Sequence, residues 1–213
     1  MANKISRMEV LGEAGSLLEF LQSRSTTRSY LTKEIDTDRL ERILEAARFA
    51  PSAHNCQPWR FAVLSDVAKK LTLARAMGER LRSDRLADGE DPALIDEDVA
   101  RSGKRIVSAP IVIVCCITLE DMDIYPDERR NQAEHWMAVQ SASMATHDMM
   151  LAAHAEGLGA CWMCAPLFCP DSIIETLGLS EQWIPQAVLT LGWADKPPRK
   201  RERLPLAKIV RFL

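Results

Sequence analysis

The sequence predicts an α+β protein with helices layered on a short sheet. Three observations predict it. Segments with helical spacing outnumber those with strand character. The strands do not alternate cleanly with the helices, which argues against a doubly wound parallel sheet. No composition break or linker interrupts the 213 residues, and 47% apolar against 27% charged content is ordinary for a folded chain, so residues 1–213 read as one domain.

Each element has its own signal. Met8, Leu11, Leu17, Leu18 and Leu21 space a helix over 8–22, ending before Arg24. Asp36 can cap a second helix carrying Leu40, Ile43, Leu44, Ala47 and Ala50, and Pro51 stops it. Trp59–Leu64 alternates as a strand. Asp66 to about Arg80 is helical, and the polar stretch Ser83–Pro92, with Gly89, reads as a loop. Pro92 opens a helix to about Ile106. Ala109–Thr118 is a buried strand and Asp121–Asp127 an irregular connector. Glu128–Glu156 is the longest helix, apolar on several faces and therefore buried; Gly157 and Gly159 end it. Ala160–Met163 is a short strand, Pro170–Leu177 a short helix closed by Gly178, and Ile184–Trp193 a buried strand. Pro197–Pro205 is too rich in proline and charge for either element, and Lys208–Leu213 reads as a last short strand.

Composition excludes several classes. The charge of −3, from 27 Lys+Arg against 30 Asp+Glu, argues against a generic nucleic-acid binder. Glu9, Glu13 and Glu19 interrupt the N-terminal segment, which therefore lacks the apolar core of a signal peptide. No apolar run approaches the ~18 residues that would span a membrane, so we expect a cytoplasmic protein without a membrane partner. The six cysteines are too sparse for a disulfide scaffold, and adjacent Cys115 and Cys116 read as core residues. Cys161-Trp162-Met163-Cys164 lacks the second pair that a zinc site wants, and it follows a helix where a thioredoxin-like site would precede one. His147 and His154 have no carboxylate at metal spacing, so we expect no metal.

Familiar catalytic motifs are missing too. There is no phosphate loop of the Gly-x-x-x-x-Gly-Lys type and no Gly-x-Ser-x-Gly elbow. Gly157-Leu158-Gly159 has Trp162 where a dinucleotide fingerprint needs glycine, and it joins helix to strand in the wrong order.

Three clusters carry chemistry. Arg24-Ser25-Thr26-Thr27-Arg28 combines two guanidinium groups with three hydroxyls, the donors a phosphate needs without a glycine-rich loop. Lys196–Arg203 holds five cations and one acid; alone it reads as a solvated tail. Ala50–Phe61 brackets small and amide side chains between Pro51 and Pro58 and leads into a strand.

This last string resembles the nitroreductase superfamily, which carries a Pro-Ser-x-x-Asn-x-Gln-Pro-Trp segment here. The resemblance covers most of the chain. Arg24–Arg28 looks like the family's opening Arg-Ser motif, and Gly157-Leu158-Gly159-Ala160-Cys161-Trp162 like its Gly-Leu-Gly-x-Cys-Trp turn. Gly192-Trp193-Ala194-Asp195 and the basic tail look like its C-terminus. Arg82-Ser83-Asp84, Asp98–Arg101, Ala109-Pro110, Tyr125-Pro126-Asp127 and Ala133-Glu134-His135 are similar to one subgroup, the flavin domain at the C-terminal end of the deazaflavin-coenzyme gamma-glutamyl ligase. The ligase activity itself is not carried over, because the nitroreductase-like region already uses the whole chain.

The resemblance implies a mixed, mainly antiparallel sheet wrapped by helices, in a homodimer whose C-terminal segment extends onto the partner. It implies FMN as cofactor, NADH or NADPH as hydride donor and a nitroaromatic, quinone or similar conjugated small-molecule acceptor. Two alternatives are a reductase of a dehydro precursor of the deazaflavin coenzyme and a non-catalytic FMN-binding protein. Arg24, Ser25 and Thr26 should meet the FMN phosphate, with Arg201 and Arg203 returning to it. Ser25 stands where many members have a second Arg. Arg28 should lie by the pyrimidine ring, where a cation stabilises the reduced flavin. Pro51, Ser52, Ala53, His54 and Asn55 should line the flavin from the partner chain. Cys164 and Ala165 should face the reactive ring edge through backbone amides, leaving the thiol without a chemical role. Arg82, Asp84 and Tyr125 are candidate contacts to the second substrate. No protein side chain is assigned as catalytic, since the flavin carries the chemistry.

Overall fold

The computed structural model describes residues 14–197 and 201–213. The helices are α1 (Ala14–Ser23), α2 (Thr37–Arg48), α3 (Val67–Ala87), α4 (Pro92–Ser108), α5 (Glu128–Ala155) and α6 (Pro170–Leu177). The strands are β1 (Trp59–Leu64), β2 (Ile111–Ile117), β3 (Gly159–Met163) and β4 (Ile184–Gly192). Aspartate opens four of the helices. Asp36, Asp66, Asp91 and Asp127 each accept a hydrogen bond from a first-turn amide, at 2.9, 2.8, 2.8 and 3.0 Å. A side-chain oxygen satisfies there an amide that the helix itself cannot.

The sheet order is β1-β2-β4-β3, with every neighbouring pair antiparallel. All seven residues of β2 are buried, which explains why it reads as a continuous apolar run. Its alternate residues serve two cores. Ile111, Ile113, Cys115 and Ile117 pack in a cluster with Ile43 and Ala47 of α2 and Met149 of α5. Val112, Val114 and Cys116 face a second cluster with Leu73 of α3, Ile106 of α4 and Ile173 of α6. Burial pushes the thiols of Cys115 and Cys116 up to about 12, consistent with core residues. The α+β layering expected from the sequence, with helices packed on both faces of an antiparallel sheet, is therefore present.

Two boundaries differ from expectation. The polar stretch read as a loop is largely helix, since α3 runs on to Ala87. Its charges are solvated helix-face residues: Arg80 binds Asp84, while Arg82 pairs with Asp96 and Arg85 with Asp98, tying α3 to α4. Only Gly89, at φ 80°, stands in a true turn. Lys208–Leu213 is not a strand. Leu206–Lys208 forms one 3-10 turn and the following residues are exposed, with no sheet neighbour among the described residues. The first helix is seen from Ala14 and ends at Ser23; positions 8–13 of the expected helix lie outside the described residues.

Candidate functional site

The segment after α1 lies along the free edge of β3. Thr26 forms a parallel bridge with Ala160, and the Thr27 amide donates to the Ala160 carbonyl at 2.9 Å. This approach needs Gly159: a Cβ there would lie 2.2 Å from Thr27 Oγ1 and 2.4 Å from its Cβ. Tyr30 pins the other end. Its buried hydroxyl donates to the Thr27 carbonyl at 2.7 Å and lies 2.7 Å from Thr190 Oγ1. Burial raises the phenol's pKa well above its usual range, so it stays a neutral donor. Gly192 makes room for it, since a Cβ there would meet Pro110 at 2.5 Å and the Tyr30 ring at 2.7 Å.

The same segment holds the start of the tail. Ser29 Oγ donates to Asp195 Oδ2 at 2.9 Å, and the Asp195 amide donates to the Ser29 carbonyl at 3.0 Å. Trp193 Nε1 donates to the Glu34 carbonyl at 3.2 Å, and Lys33 Nζ sits 3.9 Å from the Trp193 ring centroid. The Gly-Trp-Ala-Asp string thus joins the end of β4 to residues 29–34.

Both ends of the chain meet beside this segment. Leu21–Arg24, Ser25, Arg201 and Arg203 line a cavity of about 400 Å³. Ser25, Thr26, Arg28, Arg201 and Arg203 line another of about 230 Å³. Ser25, Arg201 and Arg203 are common to both. Among the described residues no carboxylate pairs with Arg24, Arg28, Arg201 or Arg203, whereas the eight arginines that do form ion pairs all lie elsewhere. Four guanidinium groups gathered without an acid repel one another, and an anion between them would relieve that repulsion. Arg28 also reaches the Cys161 thiol. Burial raises that thiol's pKa, and the guanidinium opposes the rise only in part.

The other predicted residues sit apart from these cavities. Cys164 and Ala165 follow β3 directly. Cys164 is exposed, and its Sγ accepts from Trp162 Nε1 at 2.9 Å. Ala165 opens a 3-10 turn, Ala165–Phe168, and lines a different cavity of about 260 Å³ against α3 and α4. Pro51, Ser52, Ala53, His54 and Asn55 form a strained turn lining neither arginine cavity. His54, Asn55 and Gln57 have φ of 50°, 57° and 48°. Ser52 Oγ accepts from the Gln57 amide at 3.1 Å, and the Ala53 amide donates to Ser141 Oγ of α5 at 3.2 Å. Arg82 and Asp84 belong to α3 and already form the ion pairs described above. Tyr125 packs under Arg130, 4.6 Å from its ring centroid, and its hydroxyl donates to Asp123 at 3.4 Å. Tyr30 and the spacing role of Gly159 and Gly192 were not visible in the sequence. A lone tyrosine has no pattern, and the glycines signalled only a turn.

The profile described as "Nitroreductase family" matches residues 21–193. The chain belongs to the nitroreductase family. It is an oxidoreductase of that family, with the family's α+β fold. A protein from Methanothermobacter thermautotrophicus named as an NADH dehydrogenase/NAD(P)H nitroreductase is 29% identical over 203 residues, covering 93% of this chain and 84% of that one. A BluB-like flavoprotein from Clostridium difficile superposes with a TM-score of 0.78 at 20% identity, covering 92% of this chain and 98% of the other. A Desulfovibrio desulfuricans nitroreductase solved in complex with FMN superposes with a TM-score of 0.71 at 24% identity, covering 91% and 94%. Among the described residues no helix is long and apolar enough to cross a membrane.

Proposed function

We propose that this nitroreductase-family chain is an FMN-dependent NAD(P)H oxidoreductase that works as a homodimer and reduces a nitroaromatic, quinone or similar conjugated acceptor. One observation carries the reading: acid-free arginines from both ends of the chain converge beside Ser25 and Thr26. A phosphate monoester fits that donor set, since forked guanidinium groups and hydroxyls are its usual partners. Arg24, Arg201 and Arg203 hold the phosphate with Ser25 and Thr26. Arg28, further along the edge of β3, offers a fixed positive charge to the ring. Cys164 and Ala165 present backbone amides where β3 ends. FMN held there would supply the redox chemistry, hydride transfer from NADH or NADPH to the acceptor.

The dimer is supported by apolar groups that one chain leaves wet. Leu17, Leu18 and Leu21 of α1, Trp136 and Met144 of α5, and Leu204, Leu206, Ile209 and Phe212 of the tail are all exposed. Patches of this kind mark interfaces, and a second copy offers them cover. The turn at 51–55 lines neither arginine cavity within one chain, which agrees with a site built from two copies. Reduction of a deazaflavin-coenzyme precursor is less supported, because two of the candidate second-substrate contacts are engaged elsewhere: Arg82 with Asp96 of α4, and Asp84 with Arg80 of its own helix.

The test is the absorption spectrum of the protein loaded with FMN, in the absence of oxygen. Addition of NADPH or NADH should bleach the flavin band, and a nitroarene or quinone should restore it. A folded preparation that takes up no FMN, or bound FMN that neither nucleotide reduces, would contradict the proposal.

A further inference from the structure

A separate cluster joins three parts of the chain. His54 lies in the strained turn before β1, Asp123 in the connector after β2, and Glu134 in the second turn of α5. One donor atom from each lies within 4.8 Å of the other two. Glu134 is only 5% exposed, and its Oε2 is buried with no hydrogen-bond partner. Among the described residues no Lys or Arg pairs with Glu134; the nearby Arg130 is engaged by Asp127. A carboxylate withdrawn from water in this way is normally paired or bound to a metal.

The local backbone favours a bound ion. His54 sits at φ 50°, an uncommon conformation for a non-glycine residue. The Ala53–Ser141 hydrogen bond fastens the turn to α5, the helix that carries Glu134. The connector is likewise fastened to α5, because Asn131 accepts from the Tyr125 amide at 2.7 Å and donates to its carbonyl at 2.9 Å. The three donors are thus presented by segments attached to one helix.

We propose that His54, Asp123 and Glu134 bind one divalent cation of the Zn²⁺ class. One imidazole and two carboxylates are too few oxygen ligands for Ca²⁺, and the imidazole suits Zn²⁺ over Mg²⁺. Bonds of about 2.0–2.2 Å require donor separations of roughly 3.5 Å, so the cluster must contract slightly. His54 and Asp123 are exposed, and Asp123, held by the 3.4 Å bond from the Tyr125 hydroxyl, can give up that contact to turn inward, while Glu134 is the fixed ligand. Three protein ligands leave a position for water, and the ion clamps the 53–55 turn to α5. Residues so far apart in sequence have no ligand spacing, so this site departs from the sequence expectation of no metal.

The test is calorimetric titration of untagged, chelator-treated protein with Zn²⁺, with flavin occupancy recorded separately. One equivalent per chain should bind. Asp123→Asn and Glu134→Gln should each weaken binding at least about tenfold, the loss seen even for outer-sphere partners of a metal. Because free thiols also take Zn²⁺, Co²⁺ should be added in parallel and should show no thiolate charge-transfer band. Absence of saturable binding, an affinity unchanged by Asp123→Asn, or a thiolate band would overturn the proposal. Asp123 is exposed, so its variant decides the matter even where Glu134→Gln does not fold. His54 belongs to the turn assigned to the flavin, whereas Asp123 and Glu134 do not, so the two variants read metal uptake apart from flavin uptake.

Discussion

Gly159 governs how closely the arginine-bearing segment lies on the sheet. Its missing side chain leaves the space that Thr27 fills, with Oγ1 only 2.2 Å from where a Cβ would stand. Gly159→Ala must push Thr27 and its neighbours outward, at a cost of about 1–3 kcal/mol typical of overpacking. We expect a lower melting temperature together with weaker FMN retention, read by thermal denaturation and flavin fluorescence. Unchanged values for both would mean that the segment is not positioned by this contact. At this scale the sequence was informative where chemistry repeats. Two guanidinium groups among hydroxyls, and a second basic run, marked Arg24, Ser25, Thr26, Arg28, Arg201 and Arg203, and the structure brings all six to adjoining cavities. Tyr30 was not legible, because its importance comes from Thr27 and Thr190, which meet it only in the fold.

The elements are joined by charges as well as by apolar faces. Glu156, at the end of α5, accepts hydrogen bonds from Arg39 at 2.9 Å and from Arg42 at 2.7 Å, both on α2. The guanidinium groups of Arg42 and Arg39 hold its carboxyl at about 2, below the ~4.3 of a free glutamate. A folded-state pKa below the unfolded value means that the clamp stabilises the protein above the unfolded pKa. That contribution is lost as pH falls from about 4 toward 2. Glu156→Gln should therefore melt below the wild type at neutral pH, with the gap closing through this window. A gap independent of pH would assign the loss to packing. Hydrophobic patterning made most elements legible: the apolar stretch Ala109–Thr118 marked β2, the Asp36 cap with its helical spacing marked α2, Pro92 marked the start of α4, and apolar residues on several faces marked α5. The end of α3 was misread because surface ion pairs make a helix face look like a polar loop. The last six residues were misread as a strand because their alternation has no sheet edge to join among the described residues.

On the scale of the whole molecule, the tail explains the uneven charge. A chain of net charge −3 places a basic run near its C-terminus, and the fold returns Arg201 and Arg203 to Arg24 and Arg28. The Ser29–Asp195 and Trp193–Glu34 contacts set the direction of that return. Exposed leucines on α1 and in the tail are apolar surface that the proposed partner would cover. The central claim is that one phosphate is held from both ends of the chain. Equilibrium titration of FMN against the wild type, Arg24→Ala and Arg203→Ala tests it most directly. Each variant removes a charge-assisted contact worth roughly 1.5–3 kcal/mol, so each should weaken binding about ten- to hundredfold. Equal affinity in all three proteins would contradict the account.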